Sequence, residues 1–253
     1  DSDLDAVVIC TPSSLHASQS AAALRAGKHV LCEIPLALSL EEATKLNRLA
    51  KERDLRLMVC HTERFRSGRM ALAERIASGT LHPKHVIGRF HMLRRGELQT
   101  DPEREGWIDN LLWHHGCHMV DAVLGLLGET EALDLHGQFG PPWPDLDLPI
   151  DVDMQWRTPS DILVDITLSH NAHWGVHDYR LICLEDTVVC DHGTLRNQKG
   201  VLVESDESLA SNIRQAREFV SAVREERESL MSGETALPTL CILQEIWNIF
   251  SDA

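Results

Sequence analysis

The sequence has no apolar run approaching the roughly 20 residues that span a bilayer, no Cys-x-x-Cys pair and no G-x-G-x-x-G turn. It has no basic excess either: 24 Lys and Arg stand against 39 Asp and Glu, a formal charge of −15. Each absence removes a class of function. No apolar span excludes an ordinary membrane helix. A net acidic field repels duplexes and anionic lipid surfaces, which leaves a small molecule as the expected ligand. Seven scattered cysteines (Cys10, Cys32, Cys60, Cys117, Cys183, Cys190, Cys241) form no disulfide framework and read as reduced thiols. The opening DSDLDAVVICTP carries acids where a signal peptide would carry bases. Together these features lead us to expect a cytoplasmic protein.

What is present is rhythmic. Ala6 to Cys10 is a short apolar run suited to a strand buried on both faces. A Thr11-Pro12 turn follows, then an alanine-rich helix from about Ser14 to Ala26, stopped by Gly27. His29 to Cys32 is a second strand, Ser39 with Glu42 caps a second helix, and Arg56 to Cys60 is a third strand. Strand and helix alternating with short connections means a parallel sheet. After Cys60 the pattern changes. Helices are expected at about Ser67 to Ser78 and Asp109 to Leu127, with a strand near Val86 to Leu93. Asp151 to Trp156, Ile162 to Leu168 and Tyr179 to Leu184 alternate as antiparallel strands with one covered face. Helices at about Leu209 to Glu226 and Thr239 to Phe250, the second just after Pro238, close the chain. A dinucleotide-binding sheet normally opens with a strand and a glycine-rich turn. None lies before Ala6, so the expectation is either a truncated record or a protein without that half, and weak cofactor binding by these residues alone.

The most informative segment is GWIDNLLWHHGCHMVD. On a helix, His114, His118 and Asp121 fall at i, i+4 and i+7 and share one face, with His115 flanking it. No Lys, Arg or Glu occurs from Leu111 to Leu127, so the helix is mostly buried and its polar stripe faces partners or a cavity. Core histidines satisfied by backbone carbonyls are the plain alternative. Three His and one Asp on one buried face exceed what packing needs, and imidazoles suit proton removal from a hydroxyl. A metal held by His114 and His118, with His61 or Asp121 as third ligand, is the competing reading. Without the glutamate of H-E-x-x-H an i, i+4 pair is a weak ligand signal, so no metal is expected. Arg64 follows the third strand and could pair with a substrate carboxylate or sit in an internal salt bridge. Arg94 and Arg95 read rather as a solvated strand end. Trp107 and Trp113 read as packing.

CTPSSLHA (Cys10 to Ala17), AGKHVLCEIP (Ala26 to Pro35), HTERF (His61 to Phe65) and HHGCHMVD together resemble the glucose–fructose oxidoreductase / inositol dehydrogenase / rhizopine-catabolism (Gfo/Idh/MocA) family. The resemblance implies an α/β fold: a Rossmann parallel sheet, lacking its first strands here, followed by an α/β domain with a large, mostly antiparallel open sheet. Residues 1–61 would be the end of the dinucleotide-binding domain and 62–253 the substrate and oligomerisation domain. Two positions depart from the family pattern. Its usual E-K-P is here Glu33-Ile34-Pro35, and the first Asp of D-x-G-x-H-x-x-D is His114. Both departures, with MVCHTERF, GWIDNLLWHH and RLICLEDTVV, are similar to the carboxy-hydroxymuconate semialdehyde dehydrogenase subgroup, whose substrate is a carboxylated cyclic hemiacetal.

That resemblance implies an NAD(P)-dependent dehydrogenase with NADP or NAD as cofactor. His118 would be the general base, His114 would orient the substrate or share its proton, and His115 is a third, weaker catalytic candidate. Thr11, Pro12, Leu15 and His16 fall where the family's post-strand loop meets the cofactor, and Glu33, Ile34 and Pro35 fall near its nicotinamide ribose. Arg64 and Asp121 are the candidate substrate contacts. A homodimer or homotetramer through the open sheet is expected, with no nucleic acid or membrane partner. Two alternatives stay open: a cis-dihydrodiol dehydrogenase of phthalate breakdown, and a non-catalytic relative that binds a small acid or a partner.

Overall fold

Short apolar strands joined by helices build the first layer. In the computed structural model, which describes residues 3–94, 110–144, 147–206 and 209–251, β1 (Ala6–Ile9), α1 (Ser13–Arg25), β2 (His29–Cys32), α2 (Leu40–Glu52) and β3 (Leu57–Val59) alternate as the sequence predicts. The strands form a parallel sheet in the order β1-β2-β3. Ser39 accepts the Glu42 N–H at 3.2 Å and starts α2 as a capping residue should. Gly27 takes φ +73°, the left-handed conformation in which it ends α1 at no steric cost. A short 3₁₀ turn, Thr62–Phe65, leads from β3 into α3 (Ser67–Ala77).

The second layer is a large sheet. Its strands are β4 (Pro83–Leu93), β5 (Leu133–Phe139), β8 (Asp151–Arg157), β9 (Leu163–Ser169), β10 (Asn171–Cys183), β11 (Thr187–Asp191), β12 (Thr194–Asn197) and β13 (Gly200–Val203). They run in the order β13-β12-β11-β10-β4-β9-β8-β5, antiparallel except for the parallel pair β4–β9. A two-stranded ribbon, β6 (Pro142–Trp143) with β7 (Leu148–Pro149), lies in the loop between β5 and β8. Helix α4 (Cys117–Leu127) covers one face of the large sheet, and Met119, Val120 and Val123 are fully buried there. Gly128, at φ +68°, terminates it.

Helix α5 (Ala210–Arg224) and helix α6 (Gly233–Ser251) return to the parallel sheet. Phe219 of α5 packs with Leu31, Met58 and Cys60, while α6 reaches α2, β3, α4 and β5. One apolar core runs from Ile9 through Met119 and Ile166 to Ile246. The sequence places the start of the last helix after Pro238; the structure starts it at Gly233, with Pro238 inside. The Ser232 hydroxyl accepts the Thr235 N–H at 3.3 Å and sets that earlier start. A proline this near a helix N-terminus removes one backbone bond without ending the helix. No helix among the described residues is long and apolar enough to cross a membrane. Arg95, Trp107 and Asp109 lie outside the described residues.

Candidate active site

The segment before α4 is wound more widely than an α-helix. Asn110 Oδ1 accepts the backbone N–H groups of Leu112 and Trp113 at 3.0 and 3.2 Å, capping the start. Leu112–Gly116 then form a π turn that runs directly into α4. Such turns are rare and cluster at functional sites. This one presents His114 and His118 together, their rings 6.4 Å apart and edge to face. Trp113 is buried, as packing requires.

His118 sits at the centre of a polar network. The His61 ring stands 6.3 Å from the His118 ring, and His61 Nδ1 lies 3.3 Å from Asp121 Oδ2. Asp121 is fully buried and receives Arg64 in bidentate fashion, at 2.8 and 2.7 Å. Glu63 on the same 3₁₀ turn accepts a hydrogen bond from Arg66 at 2.6 Å and forms an ion pair with Arg69 at 2.8 Å, and His177 lies 3.6 Å away. Burial raises the Glu63 carboxyl, and Arg69, His177 and Arg66 together outweigh that and hold it near 2. Both carboxylates act on His118 by their fields. The i, i+4, i+7 spacing therefore assembled its face as expected. Both Asp121 oxygens are engaged by Arg64, and His61 Nδ1 lies 3.3 Å off without a hydrogen bond.

His115 meets His114 edge to face, with ring centroids 4.6 Å apart, and also reaches the sheet. Its ring stacks on Phe90, with centroids 4.0 Å apart, and its Nδ1 meets His170 Nε2 at 3.3 Å. His170 is fully buried, and sequence reasoning missed it, because a lone His between two strands carries no periodic signal. Arg94 carries two readings from the sequence, a contact to an acidic substrate and, favoured there, a solvated strand end. Its backbone N–H donates to the His170 carbonyl at 2.9 Å, which sets this half-buried residue beside the imidazoles, and its charge bears on His114, His115 and His170.

The loops at the carboxyl ends of β1 and β2 approach the same place. The buried His16 ring lies 2.7 Å from the Pro35 carbonyl and 2.8 Å from the Thr11 carbonyl, clamping the two loops together. His16 is also near enough to act on His114. Thr11 donates to Gln19 at 2.8 Å. Thr11, Pro12 and Glu33 are half-buried, Leu15 is exposed, and Ile34 and Pro35 are buried. The polar, partly open surface of these loops fits one end of a dinucleotide: carboxyl ends of parallel strands, a fixed backbone, and one apolar side chain in the open. Among the described residues, no group of three or more His, Cys, Asp or Glu is placed to hold a metal ion.

Burial dominates the titration of this face. It lowers His118 to about 4, aided by His61, and lowers His114 to about 4, aided by His118. It also lowers His170 to about 4, aided by Arg94, and His177 to about 4, against the opposing field of Glu63. The unfolded chain takes up protons on these residues from about pH 6.5 downward, while the folded chain resists until about pH 4. Stability is therefore whole above about pH 6.5 and is lost as pH falls toward 4. Each group costs on the order of 1–2 kcal/mol at pH 5. Calorimetry is expected to show Tm falling by about 10 °C or more between pH 7 and pH 5. A flat Tm over that interval would contradict neutral burial of these rings.

Two family models match the chain. One, described as an oxidoreductase family with an NAD-binding Rossmann fold, covers residues 1–61, and one described as the C-terminal part of bacterial oxidoreductases covers residues 68–207. Over 248 residues the chain is 32% identical to 4-carboxy-2-hydroxymuconate-6-semialdehyde dehydrogenase of Sphingobium sp. (strain NBRC 103272 / SYK-6), covering 96% of this chain and 78% of that protein. It is 30% identical to the 1-carboxy-3-chloro-3,4-dihydroxycyclohexa-1,5-diene dehydrogenase of Comamonas testosteroni, over 54% of this chain and 35% of that one. In fold it is similar to levoglucosan dehydrogenase in complex with NADH, with a TM-score of 0.85 at 20% identity, over 98% of this chain and 78% of that one.

Proposed function

The chain belongs to the Gfo/Idh/MocA family of NAD(P)-dependent oxidoreductases, and from that footing we propose that it oxidises a carboxylated cyclic hemiacetal of the hydroxymuconate semialdehyde type. The observation that carries this reading is the half-buried His114–His118 pair, set between the His16 clamp and the charge of Arg94. Oxidation of a hemiacetal removes a hydride from carbon and a proton from oxygen, leaving a lactone. A bound NADP or NAD supplies the hydride acceptor. The residues of this chain supply the rest.

His118 takes the hydroxyl proton. Held neutral by burial, it is ready to accept at neutral pH, and once charged it gains from the fields of Glu63 and Asp121. His114 orients the same hydroxyl, and His115 braces the face through Phe90 and His170. Asp121 and Arg64 act as positioning residues: they hold His61 against His118 and leave the substrate carboxylate to Arg94. Thr11, Pro12, Leu15, His16, Glu33, Ile34 and Pro35 form the cofactor side. Residues 1–61 remain the cofactor portion and 62–253 the substrate portion, with α5 and α6 reaching back to brace the first. Self-association through the open face of the eight-stranded sheet goes with this arrangement.

A carboxylated dihydrodiol is the second reading, favoured by the Comamonas relative. The test is direct. The protein as its gene encodes it is mixed with NADP or NAD and either the semialdehyde or the diol, and reduced nicotinamide is followed by absorbance. Turnover of the semialdehyde with loss of two hydrogens in the product supports the proposal. Turnover of the diol alone selects the second reading, and turnover of neither overturns both. Replacing Arg94 by Gln is expected to raise KM for the carboxylated substrate about 10-fold or more, with a smaller change in kcat. An unchanged KM would remove Arg94 from the substrate site.

A further inference from the structure

A separate cavity of about 440 Å³ opens between the 3₁₀ turn, α3, α4 and the loop before α6. None of the histidines discussed above lines it. Its walls are apolar, including Phe65, Ala73, Leu126 and Met231, yet two arginines, Arg64 and Arg69, belong to them and no carboxylate does. Apolar walls raise the cost of an unmatched charge, so the partners of these two cations matter.

Their partners run short. Arg64 gives Nε and Nη2 to Asp121, and among the described residues no bond is made by its Nη1. Gly125 seats this guanidinium flat on α4, since a Cβ there would stand 2.6 Å from Arg64 Cζ. Arg69 is 3% exposed. Its Nη2 meets Glu63 at 2.8 Å and its plane covers the Tyr179 ring at 3.6 Å, but its Nε and Nη1 are buried with no hydrogen-bond partner. The carboxylates that answer the two arginines, Asp121 and Glu63, stand behind the wall, and Glu63 is shared with Arg66 outside the lining.

We propose that this cavity binds a small apolar monocarboxylate, its ring or alkyl body among Phe65, Leu126 and Met231 and its carboxylate at Arg64 Nη1, with the enclosed Arg69 adding positive charge behind. The site does not depend on the substrate assigned above. It lies beside Arg64, which anchors Asp121 under the histidines, so occupancy is felt at the imidazole face through the Arg64–Asp121–His61 contacts.

Benzoate is the probe and benzamide its neutral counterpart of the same shape. Calorimetric titration at pH 7 is expected to give saturable benzoate binding with Kd about 0.1–1 mM, and benzamide binding at least about tenfold weaker. Two variants place the ligand. Ala73→Phe fills the cavity without altering either arginine, and Met70→Asp supplies a carboxylate at the exposed rim. Each is expected to weaken benzoate about tenfold or more, and the rim variant serves if the cavity-filling one fails to fold. Benzamide binding as well as benzoate, benzoate binding unchanged in a folded variant, or no saturation below about 10 mM would each overturn the proposal.

Discussion

Replacing His118 by Asn is expected to lower kcat about 10²–10⁴-fold, the usual contribution of a positioned general base. The loss follows from geometry. His118 is the imidazole that touches His114 on one side and His61 on the other, and it alone lies in the fields of both Glu63 and Asp121. The asparagine variant is expected to keep its Tm and its nicotinamide affinity, because the His16 clamp and the apolar side of α4 are untouched. The corresponding His114→Asn change is expected to be milder, since orienting a hydroxyl contributes less than accepting its proton. Steady-state rates for the two variants, with Kd for the nicotinamide, check this ordering. A His118 variant of near-normal kcat would move the base elsewhere.

The second large effect concerns stability. Asp121→Ala is expected to destabilise the fold by about 3 kcal/mol, the lower end of the range for breaking a buried ion pair. Asp121 has no exposed surface and answers both Arg64 and His61. Removing it leaves the Arg64 guanidinium facing an apolar helix, with both of its hydrogen bonds lost. The lower end applies because a quarter of the Arg64 side chain still meets water. For a chain of this size the change corresponds to a Tm lower by about 6–12 °C. Denaturant titration at pH 7 checks it, and a loss below about 1 kcal/mol would show that Arg64 finds another partner. Activity is expected to fall as well, through KM and kcat together, because Arg64 no longer has its anchor and His118 loses the field of Asp121.

Much of this architecture was legible in the residues. The βαβαβ opening followed from short apolar runs punctuated by Gly27 and the Ser39 cap, both of which the structure bears out. The α4 face followed from the spacing of His114, His118 and Asp121. The first half of β10 was not legible, because NAHWGVH has no alternation and leaves Trp174 largely in solvent. Nor was the π turn, which stacks His115 on Phe90 while its ring stays 4.6 Å from that of His114. Arg94 and His170 could not be placed from sequence for a different reason. Each reaches the histidines across strands distant in the chain, and only the β4–β9 and β4–β10 pairings bring them together. The family resemblance supplied what spacing alone left open, including the choice of a nicotinamide cofactor, and the matches over residues 1–61 and 68–207 agree with it.

The most direct test is the pH dependence of kcat/KM, taken only where circular dichroism shows the protein folded. A base of ordinary histidine pKa would lose about tenfold in rate by pH 5.5. His118, lowered to about 4 by burial and His61, is expected to lose less than about twofold over the same interval, and the Asn variant to lack whatever limb appears below it. A limb centred near 6.5 that survives in the His118→Asn protein would contradict the assignment of this half-buried imidazole as the base.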